Sequence, residues 1–72
     1  MNAGSEVRER LAREDSNYQR LSHKHQEYED RLHELRGRKF LTEEEKLEEV
    51  RIKKLKLALK DEMEQLVRRE SS

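Results

Sequence analysis

The spacing of apolar residues in the first half of the chain constrains the fold more than any other feature. Positions 7, 11, 14, 18, 21, 25, 28, 32 and 35 advance by alternating steps of four and three. They read Val7, Leu11, Glu14, Tyr18, Leu21, His25, Tyr28, Leu32 and Leu35. A repeat averaging 3.5 residues keeps one stripe of side chains on one side of a helix, so these residues form a coiled-coil seam of about four heptads. Almost everything off the seam is polar.

The predicted break in this pattern falls at Gly37, placed to end a helix in the left-handed conformation that glycine adopts without steric cost. A short link follows, "GRKFLT". Thr42 and Glu45 then spell the T-x-x-E capping box of a second helix. Glu43, Glu44 and Glu45 lie in its first turn and Arg68 and Arg69 in its last, each sign matching the helix dipole. The expected organisation is therefore one small domain over residues 1–72. It has a disordered start at 1–5, a first helix at 6–36, a turn at 37–42, a second helix at 43–69 and a tail at 70–72. Within the first helix Glu14 interrupts the seam, which makes 14–17 a weak point. The spacing favours one long helix bent there, and the alternative is a restart at "DSNYQ" with Ser16 as N-cap and Gln19 closing its capping box.

Short links between long helices make antiparallel neighbours. The expected fold class is all-α, an antiparallel two-helix hairpin of coiled-coil type that self-associates into a helical bundle. Leu21, His25, Tyr28, Leu32 and Leu35 face Ile52, Leu55, Leu59, Met63 and Leu66 in its seam, with Phe40 and Leu41 plugging the turn or, if exposed, joining the interface as the best contact for a foreign partner. Leu47, Val50, Leu57 and Ala58 lie on nearly the opposite side of the second helix, at ~100° per residue. A hairpin covers one face of that helix and leaves this second one for a partner, either a second copy or another protein. Five exposed pairs at i,i+4 are expected to support the helices locally: Glu6 with Arg10, Glu9 with Arg13, Glu27 with Arg31, Glu49 with Lys53 and Glu64 with Arg68.

Charge restricts the function classes. Charged residues make up 47% of the chain, yet 17 basic residues balance 17 acidic ones, so no unopposed positive surface invites phosphate. Basic runs at 36–39 and 51–60 keep nucleic-acid binding as the alternative function. The lysines of "KKLKLALK" fall on two flanks of the helix, whereas a membrane-surface helix gathers its charge opposite one wide apolar face. They resemble residues flanking a bundle seam, and the acidic "EEEKLEE" one to two turns earlier offers them opposite charge on a partner chain. No apolar h-region opens the chain and no apolar run approaches the ~18 residues of a membrane span, so a soluble cytoplasmic protein is expected.

Chemistry is not expected. The chain has no cysteine, its serines lie near the termini or on polar faces, and a thin hairpin offers no pocket in which a carboxylate pKa shifts far. His25, Glu29 and His33 share a helix face at i, i+4, i+8, but one helix supplies two good ligands where zinc takes three or four. His25 is expected to act as a polar seam residue that sets register, hydrogen-bonded across the hairpin or to a water. No catalytic, cofactor or metal site is assigned. Two segments, "YQRLSHKHQEYEDRLHELRGRKFLTEEE" and "RIKKLKLALKDEMEQL", resemble the YdcH-like family of small bacterial proteins. Leu21 and His25 match its first motif, and Lys53, Lys54, Lys56, Leu57, Lys60, Asp61 and Glu62 its second, with Ile52 where the family has leucine. The resemblance, to a family of unknown function, implies a bacterial source and a short antiparallel helical hairpin of coiled-coil character with no established catalytic residues.

Overall fold

A computed structural model describes residues 3–71. Three helices account for nearly all of them: α1 (Ala3–Glu14), α2 (Ser16–Arg36) and α3 (Glu43–Ser71). The described residues contain no strand. The molecule measures 45 × 23 × 17 Å, a length set by α3, whose 29 residues span about 43 Å at 1.5 Å per residue. Of the expected disordered start, residues 3–5 are helical, residues 1 and 2 lie outside the described part, and α3 continues through the expected tail to Ser71.

The expected single first helix is two helices, because Asp15 leaves the helical conformation (φ −98°, ψ 113°) and becomes the N-cap of α2. Its Oδ1 accepts a 2.8 Å hydrogen bond from the Tyr18 amide, satisfying a donor that every helix start leaves orphaned. Ser16 is therefore the first residue of α2 rather than its cap. Gln19 does not close a capping box either. Its Nε2 donates to the carbonyls of Ala12 and Arg13 at 3.0 Å each, capping the end of α1 across the break. Glu14, the polar residue on the seam, is exposed at that joint.

Gly37 ends α2 in the right-handed region (φ −78°, ψ −10°), and no described residue has a positive φ. The left-handed cap is not formed. The α2 carbonyls are closed instead by a last helical bond, Gly37 N to His33 O at 3.1 Å, and a tight-turn bond, Arg38 N to Leu35 O at 3.2 Å. The second capping box forms as spelled: Glu45 N donates to Thr42 Oγ1 at 3.1 Å, and Thr42 N donates to Glu45 Oε1 at 3.0 Å.

Cross-chain ion pairs fix the direction of packing. Arg8 meets Glu64, Arg10 meets Glu70, Glu29 meets Lys56, and Arg31 meets Glu48. From Glu29–Lys56 to Arg31–Glu48 the partner's number falls, so α2 runs antiparallel to α3; from Arg8–Glu64 to Arg10–Glu70 it rises, so α1 turns back at Asp15 and lies beside α3 in the same direction. Leu11, Tyr18, Leu21, Leu32, Leu35, Ile52 and Val67 are buried. Leu11, Tyr18 and Val67 form one cluster with Val7, Met63 and Leu66 packed around it.

Two seam positions on α3 depart from expectation. Leu55 is 48% exposed, and its neighbour Lys56 faces inward, its stem covering apolar surface while its ammonium reaches Glu29. Val67, outside the expected seam, is buried where Leu66 is only partly covered. The break at Asp15 re-aims α1, and the face of α3 that it covers turns with it.

Candidate interaction surface

The side of α3 turned away from α1 and α2 carries Leu47 (58% exposed), Val50 (49%) and Leu57 (60%), with Ala58 exposed beside them. A helix whose buried line runs through Ile52, Leu59, Met63 and Val67 must show these residues to solvent, since they stand roughly half a circle away at ~100° per residue. Phe40, just before the cap of α3, is 83% exposed. It does not plug the turn. Arg38 holds that end instead, bound to Glu34 and Glu45 across the link, and Leu41 is half-buried beneath. A phenyl ring just before the helix and three branched side chains in its first half thus lie uncovered.

The charges around this stripe differ from those at the packed seam. At the seam the long-range pairs replace most of the expected local ones. Arg31 grips Glu48 with two bonds of 2.8 Å and reaches Glu34 at 2.9 Å instead of Glu27, and Arg10 and Glu64 turn to α3 and α1 instead of Glu6 and Arg68. Of the five expected pairs only Glu49–Lys53 forms, at 3.7 Å. Packing against α3 brings a fully opposite charge within reach, and a two-pronged guanidinium bond across helices outcompetes one along a helix. Arg31, hydrogen-bonded first to Glu48, has its pKa raised, and that bond holds the Glu48 carboxyl below its ordinary range. The bond from Lys56 does the same to Glu29. Beside the outward stripe, by contrast, Glu44, Arg51 and Lys54 take part in no ion pair among the described residues.

A groove of about 400 Å³ opens between α1, α2 and α3. Tyr18, His25 and Met63 line it, the Arg8–Glu64 and Glu29–Lys56 pairs stand at its sides, and Leu57 joins it to the outward stripe. His25 keeps its seam position, half-buried, but its ring makes no hydrogen bond among the described residues. The groove explains this: where the helices separate there is no facing partner. Tyr28 is likewise half-buried, with the Lys24 ammonium 5.3 Å from its ring centre.

Glu29 is engaged by Lys56 and His33 is exposed, so His25, Glu29 and His33 do not gather. The described residues hold no group of three or more His, Cys, Asp or Glu side chains placed to bind a metal ion. In the basic runs, Arg38, Lys53 and Lys56 are each paired with a carboxylate. No described helix is long and apolar enough to cross a membrane. No protein-family model, curated protein or solved structure matches the chain.

Proposed function

We propose that this protein is a protein–protein interaction module, a small scaffold without chemistry of its own, whose contact surface is the outward stripe of α3. In this account α2 and α3 form the hairpin and α1 folds back against both. The observation that carries the proposal is the exposure of Leu47, Val50 and Leu57, with Phe40 just before them, on a helix whose other side is already packed. Scattered single apolar residues on a surface need no explanation, but a line of them at helical spacing is the pattern by which one helix recognises another. The resemblance to a family of helical hairpins with no established catalytic residues agrees with it.

The test is site-specific photo-crosslinking in living cells. A photoreactive residue replaces Leu57 on the stripe, and in a second strain it replaces Glu27 on the polar outer side of α2, where the side chain is 52% exposed. Adducts of defined mass from position 57 and none from position 27 support the proposal. Equal crosslinking at both positions, or none at either, overturns it.

A further inference from the structure

We propose that the partner covering the stripe is a second copy of this chain, docked antiparallel through the first half of α3. The inference rests on the interaction surface just described and adds its occupant and register. Consider a two-fold axis crossing α3 midway between Glu48 and Glu49. It sets Leu47 against Val50 of the second copy, and Val50 against Leu47, so the stripe is complementary to itself. It also sets Glu43 level with Lys54, each about 8 Å from the axis at 1.5 Å per residue. On one flank of the stripe, Glu44 comes to within about 3 Å, measured along the helix, of the level of Arg51 of the second copy.

Symmetry repeats both attractions, giving four oppositely charged pairs. Among the described residues, three of these, Glu44, Arg51 and Lys54, take part in no ion pair, and Glu43 meets only Lys46, an exposed neighbour, at 3.3 Å. The axis also brings the exposed Phe40 toward Leu57, 60% exposed, of the second copy. A parallel pair would instead stack Glu43 on Glu43 and Lys54 on Lys54, like charges along the centre of the contact. An isologous contact of this kind closes as a dimer rather than growing into a filament.

Charge reversal by mixing tests the register. The variants Glu43→Lys/Glu44→Lys and Arg51→Glu/Lys54→Glu are purified separately and as an equimolar mixture, with circular dichroism reporting their fold. Each alone replaces four attractions with four repulsions and should dimerise at least about tenfold more weakly than the native chain. The mixture should recover, because every reversed group then faces an opposite charge. A cysteine pair supplies an independent check in a chain that has none. The double variant Glu43→Cys/Lys54→Cys should form inter-chain disulfides, whereas either single variant should not, its two copies of the cysteine lying about 16 Å apart, beyond disulfide reach.

Failure of the mixture to recover, or disulfides in a single variant, overturns the proposed register. A native chain that stays monomeric at every concentration overturns the second copy as occupant. The photo-crosslinking result at Leu57 is separate from both. An adduct with a foreign protein there would leave the interaction module standing and remove only this inference.

Discussion

Replacing Gly37 with alanine distinguishes the observed end of α2 from the one its sequence suggests. Were Gly37 left-handed, a Cβ would meet the following carbonyl at a cost of roughly 1–2 kcal/mol. At φ −78° and ψ −10° alanine is at ease. A Cβ built there meets nothing closer than the carbonyl oxygens of His33 and Glu34, both at 3.5 Å, which is ordinary contact. Alanine also narrows the unfolded ensemble, so the substitution should stabilise by about 0.4–1 kcal/mol. For a domain of this size each kcal/mol moves the melting temperature by roughly 4–8 °C. The expected gain is therefore about 2–8 °C. The assay is thermal circular dichroism of both proteins at one fixed concentration, since association makes melting concentration-dependent. A melting temperature lowered by several degrees would refute the right-handed assignment and restore the left-handed cap.

Other predictions follow from the same packing. Leu32→Ala should cost about 2–5 kcal/mol, because Leu32 is fully buried, while Leu55→Ala, half in water, should cost under about 1 kcal/mol; chemical denaturation of the two variants compares them, and similar losses would put Leu55 back in the seam. Asp15→Ala removes the acceptor of the Tyr18 amide and should cost about 0.5–2 kcal/mol, whereas an unchanged denaturation midpoint would mean that the break does not depend on this cap. Stability should fall in acid: the Glu29 and Glu48 carboxyls have lowered pKa values in the folded chain, so their contribution is complete above the ordinary carboxylate range, where both states are ionised. Below it the unfolded chain takes up protons first, and the contribution is lost as pH falls through the folded values. Glu48→Gln should lower the melting temperature at pH 7 and flatten this acid slope; an unaltered slope would assign the acid sensitivity to other groups.

Much of the fold was legible because it depends on local chemistry. Thr42 and Glu45 cap α3 through atoms three residues apart, and the 3.5-residue spacing of Leu21, Leu32 and Leu35 places them in the core. What the sequence concealed depends on geometry between elements. Asp15 and Ser16 are both good caps, and choosing between them requires knowing where α1 leaves the axis of α2. Leu55 and Lys56 compete for one inward position, and hydropathy favours leucine. The lysine takes it because Glu29 stands opposite, a fact of antiparallel register that no pattern within one helix contains. Val67 is buried for the same reason, since the bend at Asp15 turns the covered face of α3. The stripe of Leu47, Val50, Leu57 and Ala58 could be read directly, being the remainder of a helix with apolar residues on two sides. Phe40 could be read only as the alternative to a plug, because its place in the turn is taken by Arg38, whose reach to Glu34 and Glu45 becomes visible only once the link is folded.

The most direct test of the account is the molar mass of the native chain by light scattering over a hundredfold range of concentration, beside Leu57→Glu. The native protein should reach a plateau at twice its 8.8 kDa, and Leu57→Glu should fall to the single-chain mass with its helical circular dichroism intact. A native chain of single mass throughout, or a dimer indifferent to a glutamate at position 57, would contradict the claim that the outward face of α3 is where this protein meets its second copy.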